Sequence, residues 1–354
     1  MTYNFCAGPA ILPEGVLKKA QALLLDFKDG VSILSISHRD PAFEKMGVGI
    51  KAKLRKILSI SDDYDIILMQ GGATLQFSAI PMNFAQDKTV AYVNTAAWSK
   101  KAMQEAAKFS KVIELDQGYL SAAEQRFDQH DANGAQYIHF TDNETIDGVE
   151  FQYVPKVDDI PIICDISSSF LSRKININDF DLLYAGAQKN IGPSGVSIVI
   201  VKKSLLATIE GKNIPTVLDY PPNIKSDSLL NTPVTFSWAV VDLVLDWFLE
   251  SGGIEYFEAL SHQKSALIYG AIDELSLFSN SVPKAVRSRM NVIFNLSTEE
   301  LCEKFLTEAE SAGFYGLKGH RSVGGCRASL YNAMNLDGVQ TLVAFMTKFN
   351  EVNA

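Results

Sequence analysis

Residues 160–170, IPIICDISSSF, and 181–190, DLLYAGAQKN, decide how this chain is read. Each holds a short apolar run rich in Ile or Leu and bounded by Pro, Asp or Asn, the pattern expected of strands buried on both faces of a parallel sheet. Their carboxyl ends carry Asp165 and Lys189, and open α/β sheets bind ligands at those ends. Lys189 follows a buried strand and has glycines on both sides. In such a setting a lysine sits in a dry pocket, its pKa falls and its amine can form a Schiff base. Pyridoxal phosphate requires such a lysine and also a carboxylate at its pyridine nitrogen, for which Asp165 is the candidate. Taken alone, the two residues are better read as a structural ion pair or as solvated strand ends, which are common. The rest of the chain has to decide.

At 354 residues, 47% hydrophobic and 21% charged, the chain has the composition of a soluble globular protein with room for two domains and a large core. No stretch approaches the roughly 18 apolar residues of a membrane span. The start, MTYNFCAGPAILPEG, has neither the apolar core of a secretion signal nor an Arg-rich transit pattern, so a cytoplasmic protein with no membrane partner is expected. A net charge of −9 argues against a nucleic-acid partner, since that binding needs clustered Lys and Arg. Cys6, Cys164, Cys302 and Cys326 are isolated and show no CxxC spacing, which suits a reducing compartment and no metal site.

Along the chain, helical periodicity from Pro13 to Phe27 follows a Gly-Pro turn, and His38 and Arg39 precede Pro41, which places them on a loop. A helix is expected from about Phe43 to Leu58, then the strand DIILMQ. Gly71-Gly72 leads into a helix whose first turn lies near Ala73 and Thr74. Strand, glycine turn and helix outline a phosphate cup, because helix N-terminal amides are unpaired and glycine lets an anion approach. The sequence is neither GxGxxG nor a Walker loop, so a dinucleotide or ATP reading is weak. Trp98 heads the helix after the strand KTVAYV; it either caps the core or stacks on an aromatic cofactor. Strands at Val112 to Leu115 and Tyr137 to Thr141 follow, the second ending in TDNETIDG. There Thr145 can reach a ligand, and Asn143 and Glu144 are as well suited to turn hydrogen bonds. With GVSIVIVKK, the alternation amounts to one α/β layer with a mainly parallel sheet.

Residues 206–233 read as irregular, with Asn231 and Thr232 as an exposed polar tip. A long helix from Thr235 to Leu249 then leads into a smaller α/β domain. The expected division is a large domain over 1–250, its N-terminal segment included, and a small one over 251–354. In the small domain, GLKGHRSVGGCRASLYNA places His320, Arg321 and Arg327 among glycines. A basic surface turn is the plain reading, but Arg327 opens an apolar strand, where an unpaired guanidinium is costly. An arginine fork there suits a carboxylate or phosphate.

NFCAGPA, SHRDPAF, QGGATLQF, NTAAWSKKA, NETIDGVE, DISSSFLSR, YAGAQKNIGPSG, NTPVTF and GHRSVGGCRASLYNA, in this order over essentially the whole chain, resemble the phosphoserine aminotransferase family. That family lies in the class V aminotransferase group and has the fold-type I architecture of pyridoxal-phosphate transferases. The resemblance implies that Lys189 carries the cofactor as a Schiff base and later moves a proton, that Asp165 holds the pyridine nitrogen protonated, and that Trp98 stacks on the ring. It assigns Thr145 to the ring oxygen, and Ala73, Thr74 and Gln188 to the phosphate. It draws Asn231 and Thr232 from a neighbouring subunit, so a homodimer with shared active sites is expected. Arg327 is assigned to the substrate α-carboxylate, and His38, Arg39, His320 and Arg321 to the distal anion. The implied reaction is ping-pong transamination between L-glutamate and 3-phosphohydroxypyruvate, giving O-phospho-L-serine and 2-oxoglutarate in L-serine biosynthesis. Some bacterial members also handle phosphohydroxythreonine in vitamin B6 synthesis. A cysteine desulfurase of the same fold would need its cysteine on a mobile loop, whereas Cys326 sits at an expected strand start.

Overall fold

A computed structural model of the chain describes residues 2–116, 118, 120, 131–132, 134–155, 159–210 and 213–354. In chain order it begins with β1 (Tyr3–Asn4), α1 (Glu14–Leu25), α2 (Pro41–Leu58), β2 (Tyr64–Gln70), α3 (Gln76–Phe84), β3 (Thr89–Val93), α4 (Ala97–Ala106) and β4 (Lys111–Leu115). Next come β5 (Ile138–Thr141), β6 (Asn143–Glu144), β7 (Val149–Glu150), β8 (Ile162–Asp165), β9 (Leu182–Gly186), β10 (Val196–Lys202), α5 (Lys203–Leu206), α6 (Tyr220–Lys225) and α7 (Thr235–Glu250). The C-terminal part holds α8 (Gly253–Glu274), β11 (Phe278–Ser279), β12 (Asn291–Leu296), α9 (Glu299–Ser311), β13 (Phe314–Tyr315), β14 (Cys326–Ser329) and α10 (Leu336–Asn353).

The apolar runs read from the sequence become one seven-stranded sheet in the order β2-β10-β9-β8-β5-β3-β4. Residues alternate between its faces, and both faces are covered. Ile162 and Cys164 enter a core with Leu54 of α2 and Trp238 of α7. Ile163 enters the opposite core with Phe77 of α3 and Ala102 of α4. This explains why the strands read as nearly unbroken hydrophobic runs. The sheet is parallel except for β10, which runs antiparallel to both β2 and β9. The link 187–195 accounts for the reversal, being too short for the crossover that a parallel neighbour needs. In consequence β2, β3, β5, β8 and β9 all end on one edge, the edge that carries Lys189.

A three-stranded sheet, β11-β12-β14, packs with α8, α9 and α10 around Phe278, Phe294, Phe305 and Phe349. The amino terminus departs from the expected division of the chain. β1 pairs in parallel with β13, and Phe5 is fully buried in this second core, so residues 3–5 belong by their contacts with the C-terminal elements. The stretch expected to be irregular also contains a helical turn, α6, with proline in its first turn, where the missing N–H costs nothing. No helix among the described residues is long and apolar enough to cross a membrane.

Candidate active site

The order of the strands makes the site. The chain leaves β3 outward to β4 and returns on the other side of β3 as β5, so a crevice opens at their carboxyl ends. It is lined by Ala73, Thr74, Trp98, Asp165, Gln188 and Lys189 among others. Lys189 donates from Nζ to Thr145 Oγ1 at 2.8 Å and lies 5.8 Å from the centre of the Trp98 ring. Burial lowers its pKa to about 8; the charges of Asp165 and Glu144 oppose the shift, and that of Arg327 adds to it. Asp165, 5% exposed, is pushed the other way, since burial raises its pKa against the pull of Lys189 and of the Ser167 amide at 2.9 Å. Trp98 Nε1, Thr141 Oγ1 and Gln188 Oε1 are buried on these walls with no partner among the described residues. Buried polar atoms without partners are rare, so three around one cavity mark a place where a polar ligand belongs. Gly186 makes room for the last of them: a Cβ there would come within 2.6 Å of Gln188 Oε1.

Two helix starts face the cavity, and they differ. At α4, Glu144 accepts from the amides of Trp98 and Ser99, each at 2.8 Å, and Asp147 accepts from that of Ala97 at 3.2 Å. The positive end of that dipole is already filled, and the cap holds Trp98 at the head of the helix. Glu144 therefore serves as a helix cap in place of the expected turn hydrogen bond. Asn143 bonds Ser168 and Asn291, each at 2.8 Å, which ties the cavity wall to β12. At residues 73–75, a single 3-10 turn leading into α3, Gly72 supplies no side-chain cap. Among the described residues the amides of Ala73 and Thr74 have no partner, which leaves an anion site open.

Behind Asp165 lies a polar chain that the sequence reading missed. Asp165 is in register with Tyr184 on β9, whose hydroxyl helps to hold the carboxylate charged. Tyr184 Oη is 2.8 Å from His139 Nε2, and the His139 ring stacks on Tyr92 at 4.6 Å. His139 Nδ1 has no partner among the described residues, and burial depresses the ring's pKa to about 3, so the imidazole is neutral. If Nε2 carries the proton, the unpartnered nitrogen is an acceptor and no donor is stranded. The hydroxyl of Tyr184 is then free to donate toward Asp165. The sequence signal was present, His139 and Tyr184 being polar groups within apolar runs.

The basic residues fall into two places. Arg327 is partly buried and donates from Nη1 to the Thr145 carbonyl at 3.1 Å, and among the described residues no carboxylate pairs with it. Burial lowers the pKa of His320, as do the charges of Arg327, Lys101 and Arg321, so three cations and this imidazole form one basic rim. Lys101, which the sequence reading did not single out, lies 4.2 Å from the centre of the Trp98 ring. His38 and Arg39 sit elsewhere in the chain. His38 Nδ1 is 3.2 Å from Thr232 Oγ1; Asn231 donates to Gln70 Oε1 at 3.1 Å, and Gln70 donates to the Thr232 carbonyl. The position is set by Asp40, which caps α2 by accepting from the Ala42 amide at 2.8 Å, with Pro41 in the first turn. No hydrogen bond or ion pair among the described residues joins this cluster to Lys189, Asp165 or Arg327.

A profile of the class-V aminotransferases matches residues 2–342. The chain belongs to the class-V aminotransferase family. A curated phosphoserine aminotransferase of Pseudoalteromonas translucida is 46% identical over 359 aligned residues, covering 99% of each chain. The solved phosphoserine aminotransferase of Bacillus circulans subsp. alkalophilus is 40% identical, with a TM-score of 0.93 over 100% of this chain and 99% of its own. The phosphoserine aminotransferase of Trichomonas vaginalis, solved with pyridoxal phosphate bound, is 35% identical with a TM-score of 0.90, over 98% and 100% of the two chains. The class-V aminotransferase fold thus accommodates the sheet order, the reversed β10 and the pairing of β1 with β13 observed here.

Proposed function

We propose that the chain is a phosphoserine aminotransferase, a pyridoxal-phosphate enzyme that exchanges amino groups between L-glutamate and 3-phosphohydroxypyruvate. The products are O-phospho-L-serine and 2-oxoglutarate, formed in two half-reactions that use one site in turn. The observation that carries the reading is Lys189, hydrogen-bonded to Thr145 at 2.8 Å, in a cavity shared with Asp165 and Trp98 and open to the free amides of Ala73 and Thr74. These residues fit the cofactor, because the cavity offers a depressed amine, a buried carboxylate, an aromatic face and an anion cup together.

Pyridoxal phosphate, when bound, supplies the electron sink for amino-group transfer. The chain supplies the rest. Lys189 offers Nζ as the nucleophile and then as the proton carrier, held beside the reacting carbon at high effective concentration. Asp165 keeps a proton on the ring nitrogen; burial raises its pKa, and the charge of Lys189 and the Ser167 amide act against that rise. Trp98 provides the flat face, Ala73 and Thr74 take the phosphate on their amides, and Gln188 borders it. Arg327 takes the α-carboxylate, the anion its partly buried guanidinium lacks among the described residues. His320 and Arg321, with Lys101 beside them, take the distal carboxylate or phosphate. A mixed rim suits both charges, since imidazole gains a proton beside a dianion and arginine offers a fork.

The active unit is a homodimer in which the partner subunit's Asn231 and the partner subunit's Thr232 complete the site. Since Thr232 is bonded to His38 within its own chain, a partner that brings Thr232 also brings His38 and Arg39. This reconciles the absence, among the described residues, of any bond from them to Lys189 with a role toward the distal anion. The four free thiols suit a reducing cytoplasm and the L-serine pathway there. The test is the visible spectrum of the cofactor-loaded protein, titrated separately with phosphoserine, glutamate and alanine and no keto acid. The first two are expected to bleach the lysine-linked band and alanine to leave it. Equal bleaching by alanine would refute substrate selection by the basic rim.

A further inference from the structure

Away from the cofactor cavity, two thiols that the sequence leaves isolated come together. Cys302 lies just past the first turn of α9 and Cys326 opens β14, and their sulfurs are 3.6 Å apart. Cys326 is 2% exposed, whereas Cys302 is only half-buried and open to small oxidants. The two thiols share one S–H···S contact that favours a single thiolate on the pair, and this, with the charge of Lys318, draws the Cys302 pKa down against its partial burial and the charges of Glu299 and Glu303. The same contact and burial push Cys326 up. A reachable thiol with a second, buried thiol in contact behind it is the arrangement of an attacking and a resolving cysteine.

Cys326 also stands at the base of the hairpin that carries the basic rim. It bridges to Lys318, the Arg327 amide donates to the Leu317 carbonyl at 2.7 Å, and the Gly319 amide to the Gly325 carbonyl at 2.9 Å. His320 and Arg321 occupy the tip of this hairpin. We propose that Cys302 and Cys326 are a peroxide-sensitive modification site, whose oxidation to a disulfide fastens α9 to the hairpin bearing His320, Arg321 and Arg327. The Cys302 thiolate attacks one oxygen of hydrogen peroxide. The O–O bond breaks, hydroxide leaves and is protonated to water, and Cys302 becomes a sulfenic acid. The Cys326 sulfur then attacks the Cys302 sulfur, the S–O bond breaks, and the departing hydroxyl takes the Cys326 proton as a second water. Two thiols lose two electrons and the peroxide is reduced to two waters. An S–S bond is about 2.05 Å long, so the sulfurs close by roughly 1.5 Å, a side-chain rotation in scale. Thiol reductants reverse the link by exchange. Among the described residues neither Cys6 nor Cys164 has another sulfur within hydrogen-bond reach.

The experiment exposes the cofactor-loaded full chain to hydrogen peroxide, alkylates it under denaturing conditions and maps it without reduction. Alkylated cysteines should fall from four to two per chain, with a mass loss of two hydrogens, one cross-linked Cys302–Cys326 peptide pair, and full recovery on dithiothreitol treatment. Cys302→Ser should keep its three remaining thiols alkylatable, and Cys326→Ser should leave Cys302 as a sulfenic acid trapped by dimedone. In the oxidised wild type, amide exchange over residues 317–327 should slow. The proposal is overturned if Cys302 over-oxidises while Cys326 stays alkylatable, if another cysteine pairs in place of either, or if exchange in the hairpin is unchanged.

Discussion

Capture of pyridoxal phosphate by the cofactor-free chain should report the ionisation of Lys189 directly, because only the neutral amine attacks an aldehyde. Burial holds that amine at about 8, against an ordinary lysine value of 10.5. At pH 7.5 about a quarter of the chains then carry a neutral Lys189, whereas a solvated lysine would be neutral in about one of a thousand. The second-order capture rate, followed by stopped-flow through the visible band, should rise with pH and level off above about 8. At pH 7.5 it should exceed that of a solvated lysine of equal reactivity by roughly 200-fold. The neighbours fix the sign of two further shifts. Arg327 lowers the pKa of Lys189, so Arg327→Leu should move the midpoint up; Glu144 raises it, so Glu144→Gln should move the midpoint down. A wild-type midpoint near 10, or shifts of one sign in both variants, would refute the reasoning from burial and charge.

Tyr184→Phe removes the hydroxyl that supports Asp165 and leaves His139 Nε2 unpartnered. The Asp165 pKa should rise, so activity should fail at a higher pH on acidification, with a stability cost of about 1–2 kcal/mol in urea unfolding; an unmoved acid limb would remove Tyr184 from the site. Gly186→Ala places a Cβ 2.6 Å from Gln188 Oε1. Displacing that side chain should weaken cofactor binding roughly tenfold, about one hydrogen bond, while the melting temperature of the cofactor-free chain stays within a few degrees. Lys264 is buried and donates to the carbonyls of Leu330, Tyr331 and Met334 at 2.8, 2.8 and 2.9 Å. Lys264→Met fills its volume but strands three acceptors, and should cost about 2–4 kcal/mol in urea unfolding; a loss below about 1 kcal/mol would mean that water replaces the ammonium.

What the sequence determined by itself was local. Buried parallel strands are short apolar runs, and the polar residues that end them stand at the ligand edge, so Asp165 and Lys189 could be read before any fold was known. The glycine turn at Gly71-Gly72 and the proline after His38 and Arg39 likewise fix backbone features through φ restriction and unpaired amides, which need no distant partner. What only the tertiary structure decided was which polar groups meet. The capping of α4 by Glu144, the chain from Asp165 through Tyr184 to His139, the position of Lys101 in the basic rim and the meeting of Cys302 with Cys326 all depend on strand register and helix packing. Periodicity reports which face a residue takes and carries nothing about its neighbour across the sheet. The same limit explains the amino terminus. Tyr3 and Asn4 are two residues long as a strand, too short to show a period, and their place beside β13 is set by the burial of Phe5 in a core built from the far end of the chain.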